Sequence, residues 1–219
     1  NTVNNIELVL DQTYTPHLDA PKEVFVGQIV GRMISTDDLS DNTVNEAVVT
    51  NTQAVATLEE LQAAVDAAAA STWIKIVADI EGNVIITQKE GVDLIIDGSA
   101  NSYDGTFFIH GQARSNGAET LEFRNINFKH AGSELNFIES NSTGSVERYA
   151  HNVTVDGCTF AGGGKDGKVV GLKIRQGFDI TVKNSTVAGM HSLMQLYGTA
   201  GVTVDNVTIE NSGRGIALD

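Results

Sequence analysis

The stretch GVTVDNVTIENSGRGIAL, Gly201 to Leu218, decides the fold, because its segment VTVDNVTI (202–209) restates a phrase met earlier in the chain. The other full copies are LEFRNINF (121–128), VTVDGCTF (153–160) and ITVKNSTV (180–187), and a shorter one is LIIDG (94–98). Successive copies begin 27, 32, 27 and 22 residues apart. Repetition at that period means supersecondary units that stack, each burying its apolar face on the next.

Within each phrase the first and third residues are apolar and the residue between them is polar, which is the period of a strand with one buried face. The fifth residue is Asn125, Gly157, Asn184 or Asn206. These residue types tolerate positive φ, so a sharp corner is expected at each. Asn184 and Asn206 are further expected to stack, their amides bonding backbone groups of the neighbouring coil. A second short strand follows at Phe128, Phe160, Val187 and Ile209, and a third at 171–175, 193–197 and 215–218.

Three short strands per coil with an asparagine-rich corner resemble the right-handed parallel β-helix of pectate-lyase-like proteins, whose corner carries a stacked asparagine ladder. The resemblance covers residues 57 to 219 and implies an all-β solenoid. It implies little about activity, since lyases, hydrolases, phage spikes and adhesins share this architecture.

Upstream of the coils, Thr57-Leu-Glu-Glu60 has the pattern of a capping box, and Leu58, Leu61 and Val65 recur at helical spacing. A helix over about 58–70 is expected, covering the open end of the solenoid where free strand edges would invite aggregation. Residues 1–50 do not carry the phrase. Their strand-like runs, Ile6 to Leu10 and Val24 to Val30, are broken by Pro16 and Pro21, and the polar stretch 35–43 reads as a linker. Two domains are expected: a β-rich attachment module or arm over 1–50, and the solenoid over 51–219. The first lacks the size and the cysteines to close a core alone, so Val24, Phe25 and Ile29 are expected to dock on another surface. The chain opens on Asn1 rather than Met and shows no cap after Asp219, so further chain is expected at both ends.

The net charge is −14, with Lys and Arg scattered, which argues against nucleic acid or an anionic membrane as partner. No segment has the length and apolarity of a membrane span. His110, His130, His151 and His191 fall on loops and strand ends without the paired spacing of zinc ligands, so no metal and no cofactor are expected. Cys158 stands where other copies hold Ile126, Ser185 and Val207, so it reads as a small buried side chain.

Strand alternation turns Leu172, Ile174, Met194, Leu196, Ile216 and Leu218 inward, and Lys173, Arg175, Gln195 and Tyr197 outward. Coils lie about 4.8 Å apart, so these four outward residues form one polar patch. In enzymes that this fold resembles, the polysaccharide groove lies on that sheet. Lys and Arg suit uronate carboxylates or sulfate, and Tyr suits the face of a sugar ring. The acidic sets expected of such lyases and polygalacturonases are missing from the chain, and the adjacent aspartates Asp37 and Asp38 lie in the linker.

Two classes of function stay open. One is a non-catalytic extracellular solenoid of a phage fibre or spike, or of a bacterial surface adhesin, binding a surface glycan. It would attach to a capsid or cell-surface protein through residues 1–50 and, as the resemblance implies for spikes, form trimers. The alternative is a polysaccharide lyase or glycoside hydrolase acting on an acidic glycan.

Overall fold

The structure, a computed structural model, describes residues 2–3, 43–44, 51–110, 119–140 and 149–218. The chain divides into two units, Asn1–Thr52 and Gln53–Asp219. In the first, β1 (Thr2–Val3) pairs in parallel with β2 (Thr43–Val44), Thr2 opposite Thr43. The runs Ile6 to Leu10 and Val24 to Val30, with Val24, Phe25 and Ile29, lie outside the described residues.

The second unit is a parallel solenoid. After β3 (Asn51–Val55) and α1 (Leu58–Ala67), the first coil is β4 (Thr72–Ile76), β5 (Ile80–Glu81) and β6 (Val84–Thr87). The next is β7 (Leu94–Asp97), β8 (Ser102–Asp104) and β9 (Phe107–His110). It is followed by β10 (Leu121–Arg124), β11 (Asn127–His130) and β12 (Glu134–Ser140). Then come β13 (Ala150–Asp156), β14 (Thr159–Gly162), β15 (Lys168–Lys183), β16 (Thr186–Ala188), β17 (Ser192–Asp205), β18 (Thr208–Glu210) and β19 (Gly215–Leu218).

The repeated phrase is the register. Leu94, Leu121, Val153, Ile180 and Val202 are partners in successive strands, as are Ile96, Phe123, Val155, Val182 and Val204. The second strands form a six-stranded sheet that threads Tyr103, Phe128, Phe160, Val187 and Ile209 into one inner column. Its aromatic members stack, with the Phe128 and Phe160 centroids 4.7 Å apart at 8°. The buried Tyr103 hydroxyl donates to Gly82 O at 2.7 Å.

The first and third faces merge into one eleven-stranded sheet, because β15 and β17 run on through the corner between coils. The separate third strands expected at 171–175 and 193–197 are therefore the first halves of continuous strands. The corner at Gln176 (φ 61°) and Asp179 (φ 56°) bends the chain while the ladder to Tyr197, Thr199 and Ala200 carries on. Leu172, Ile174, Met194 and Leu196 are buried as expected. In the last coil Ile216 and Leu218 continue the same inner columns but are 38% and 62% exposed, with no described strand stacked beyond them.

The helix is three residues shorter than its periodicity suggests. Thr57 Oγ1 accepts from Glu60 N at 3.2 Å, and Glu60 Oε2 reaches back to Ala56 N, one residue before the cap, at 2.7 Å. At the other end Lys89 Nζ donates to Asp66 O and Ala68 O, both at 2.8 Å, and takes up carbonyls that the next turn would have left free. Leu61, Ala64 and Val65 pack into the core. Gln62 closes the free edge of β6: Ile85 N donates to its Oε1 at 2.8 Å, and its Nε2 donates to Ile85 O at 2.9 Å. No helix among the described residues is long and apolar enough to cross a membrane.

Candidate functional site

Lys173 and Arg175 lie on β15, Gln195 and Tyr197 on β17, and the register sets Lys173 opposite Gln195 and Arg175 opposite Tyr197. The four form a two-by-two patch on adjacent coils. Beneath it Leu172, Ile174, Met194 and Leu196 are fully packed, so the backbone that carries the patch is fixed by the core. The Arg175 guanidinium carbon sits 5.7 Å from the centroid of the Tyr197 ring. A guanidinium held on a ring keeps its in-plane N–H donors available, and these match a carboxylate or sulfate edge. Glu139 borders the patch beside Lys173, and its Oε2 accepts from Asn136 Nδ2 at 2.8 Å.

Beyond the corner the structure adds residues that alternation alone had not revealed. Phe178 is 37% exposed and meets Tyr149 edge-on, ring centroids 5.9 Å apart at 86°. Their proximity depends on the turn at Gln176, and a positive φ at a residue other than Gly or Asn leaves little trace in sequence. A second missed pair is His130 Nδ1 and Asp104 Oδ1, 2.7 Å apart on neighbouring coils. Among the described residues, no group of three or more His, Cys, Asp and Glu is placed to hold a metal.

The corner residues Asn125, Gly157, Asn184 and Asn206 all have left-handed φ, between 48° and 64°. Their hydrogen bonds differ from expectation. Asn206 Nδ2 donates to Asn184 Oδ1 at 2.9 Å, and Asn184 Nδ2 to Asp156 Oδ1 at 2.8 Å. The amides thus bond side chains of the coil below, not its backbone, because the corner faces solvent and the backbone groups there are already in the ladder. Gly157 interrupts the amide column, so Asn184 turns to the preceding Asp156.

Cys158 is buried, its Sγ donating to Phe123 O at 3.5 Å, and burial pushes the thiol up to about 12. Such a thiol is packing, not a nucleophile. The crevice between Val65, Ile86, Leu94 and Leu121 holds about 10 Å³, room for one water at most. The patch on β15 and β17 is the described surface where cations, an amide and an exposed aromatic converge.

A family model for the right-handed β-helix region matches residues 75–219, and the chain belongs to that family. No curated protein and no solved structure matches the chain.

Proposed function

We propose that this protein is a non-catalytic extracellular solenoid, part of a phage fibre or spike or of a bacterial surface adhesin, and that Lys173, Arg175, Gln195 and Tyr197 bind an acidic surface glycan. The observation that carries the reading is the adjacent placement of Arg175 and Tyr197, a cation on an exposed ring, with Lys173 and Gln195 at the next outward-facing register position. The cations meet carboxylate or sulfate, the ring meets the apolar face of a sugar, and the amide bonds hydroxyls. Residues 1–50 attach the solenoid to a capsid or cell-surface protein through Val24, Phe25 and Ile29, and the assembled form is a trimer.

A glycan array with the full chain tests the binding. Salt-sensitive binding to acidic glycans that Arg175→Ala reduces supports the patch, whereas binding that survives alanine at Lys173, Arg175 and Tyr197 together removes it. Release of new sugar ends from a bound glycan would favour a lyase or hydrolase instead. Deletion of residues 1–50 should abolish attachment while leaving β-sheet circular dichroism and cooperative melting intact.

A further inference from the structure

The patch is one end of a longer basic stripe. In the segment KDGKVVGLKIR, residues 165 to 175, four cations stand against one carboxylate, in a chain of net charge −14. Three consecutive glycines at positive φ, Gly162 to Gly164, bend the chain into the loop that presents Lys165. Among the described residues, Lys165 Nζ is engaged by the next residue alone, 2.8 and 2.9 Å from the two oxygens of Asp166, and its side chain remains 64% exposed. Lys168 opens β15 and lies 3.4 Å from Glu134 Oε2, its side chain 73% exposed. The turn before β19 adds Arg214, which is exposed, and it packs on this loop: a Cβ at Gly213 would stand 2.4 Å from Lys165 O. Lys173 and Arg175 make no ion pair within 4 Å among the described residues.

Exposed pairs such as Lys165–Asp166 and Lys168–Glu134 are weak and exchange readily for a denser anion. At mid-strand two neighbouring positions both turn inward, as Phe137 with Ile138 and Leu193 with Met194 do in the flanking strands, so Lys168 faces solvent like Lys173 and Arg175. The span from Lys168 to Arg175 is at most about 23 Å at the rise of a parallel strand. Cations at both ends of that span, with Lys173 between them, fit a linear polyanion laid along the strand. Resting on the glycan reading above, we infer that the bound glycan is a charged polysaccharide chain running lengthwise along β15, with anionic groups at the Lys165–Lys168 end as well as at Arg175 and Tyr197. A nucleic acid is the poorer occupant: its denser charge would meet the repulsion of the net-negative chain beyond this narrow stripe.

The test is calorimetric titration of the full chain with a galacturonate trimer, shorter than the stripe, and an octamer that exceeds it. The octamer should bind about fivefold or more tighter per chain, as two added exposed ion contacts allow. Lys165→Gln with Lys168→Gln should remove that advantage and leave trimer affinity unchanged, while Arg175→Ala weakens both ligands. Asp166→Asn, which releases Lys165, should tighten the octamer alone. An octamer no tighter than the trimer, or one indifferent to the paired Gln change, overturns the lengthwise placement while the patch stands. Failure of both ligands to bind overturns the patch and the placement together. Equal binding of a single-stranded DNA octamer overturns the choice of a glycan. Circular dichroism of each variant separates lost contacts from lost folding.

Discussion

Lys183 Nζ lies 3.1 Å from Asp156 Oδ2 on the neighbouring coil, while Asn184 Nδ2 donates to the other carboxylate oxygen at 2.8 Å. One aspartate thus ties the last residue of the strand above and its corner residue to the coil below. The pair belongs to a longer column. Lys75, Asp97, Arg124, Asp156, Lys183 and Asp205 are partners in register across successive strands, and their signs alternate without a break. Near its start, Lys75 and Arg124 also lie over the Trp73 ring, at 5.1 and 5.6 Å.

Reversing Lys183 to Glu should lower the unfolding midpoint, because three carboxylates would then follow one another in the column. Because exchanging the two charges would set like charges against Arg124 and Asp205, the pair is isolated by the neutral changes Asp156→Asn, Lys183→Gln and both together. The coupling expected of a half-exposed pair is about 0.5–1 kcal/mol at low salt, and it should shrink in concentrated salt. A double-mutant cycle by urea denaturation at both salt levels reads it. An unchanged coupling in salt would assign the effect to packing.

At the corner, backbone conformation should outweigh the amide bond. Asn184 holds φ 51°, which costs most residues about 1–2 kcal/mol, so Asn184→Leu should destabilise by that amount and Asn184→Gly by clearly less. Thermal melting of the two variants decides the matter. Equal losses would mean that the exposed hydrogen bond to Asp156 matters more than the turn.

Cys158 supplies a pH signature. Its thiol is raised from 9.0 to about 12 by burial, so above pH 9 the unfolded chain gives up this proton before the folded one does. Stability from this group is complete below pH 9 and falls as pH rises towards 12. The Tyr103 phenol, also pushed up by burial and by Asp104, adds to the same decline. Cys158→Val should be nearly neutral at pH 7 and flatten part of the alkaline slope, measured as unfolding free energy against pH. A variant that melts alike at pH 7 but keeps the full slope would contradict the buried-thiol account.

Gln62 should matter more than its exposed setting suggests. Replacing it by Leu removes both bonds to Ile85 and uncovers the β6 edge, at a cost of about 1–2 kcal/mol. Light scattering on warming should also show earlier aggregation than in the parent chain.

What could be read in the sequence was what repeats. Residues 121, 153, 180 and 202 line up in the phrase, and they line up in the sheet, because stacking turns a sequence period directly into a strand register. The four patch residues were legible for the same reason, since alternation along β15 and β17 fixes which side chains leave the core. The Phe178–Tyr149 and His130–Asp104 contacts were not, as each depends on how a corner turns or on the meeting of positions outside the phrase. The partners of the asparagine amides escaped for a related reason: Gly157 has no side chain to stack, and only the register shows that Asp156 takes its place.

The alternating column also constrains how such a chain can lengthen. Copying one coil would set two like charges side by side, about 4.8 Å apart along the sheet, where repulsion opposes stacking. Copying two coils together preserves the order of signs. Growth or trimming of this solenoid by tandem duplication is therefore expected to proceed in steps of two coils, and designers who extend it should insert pairs.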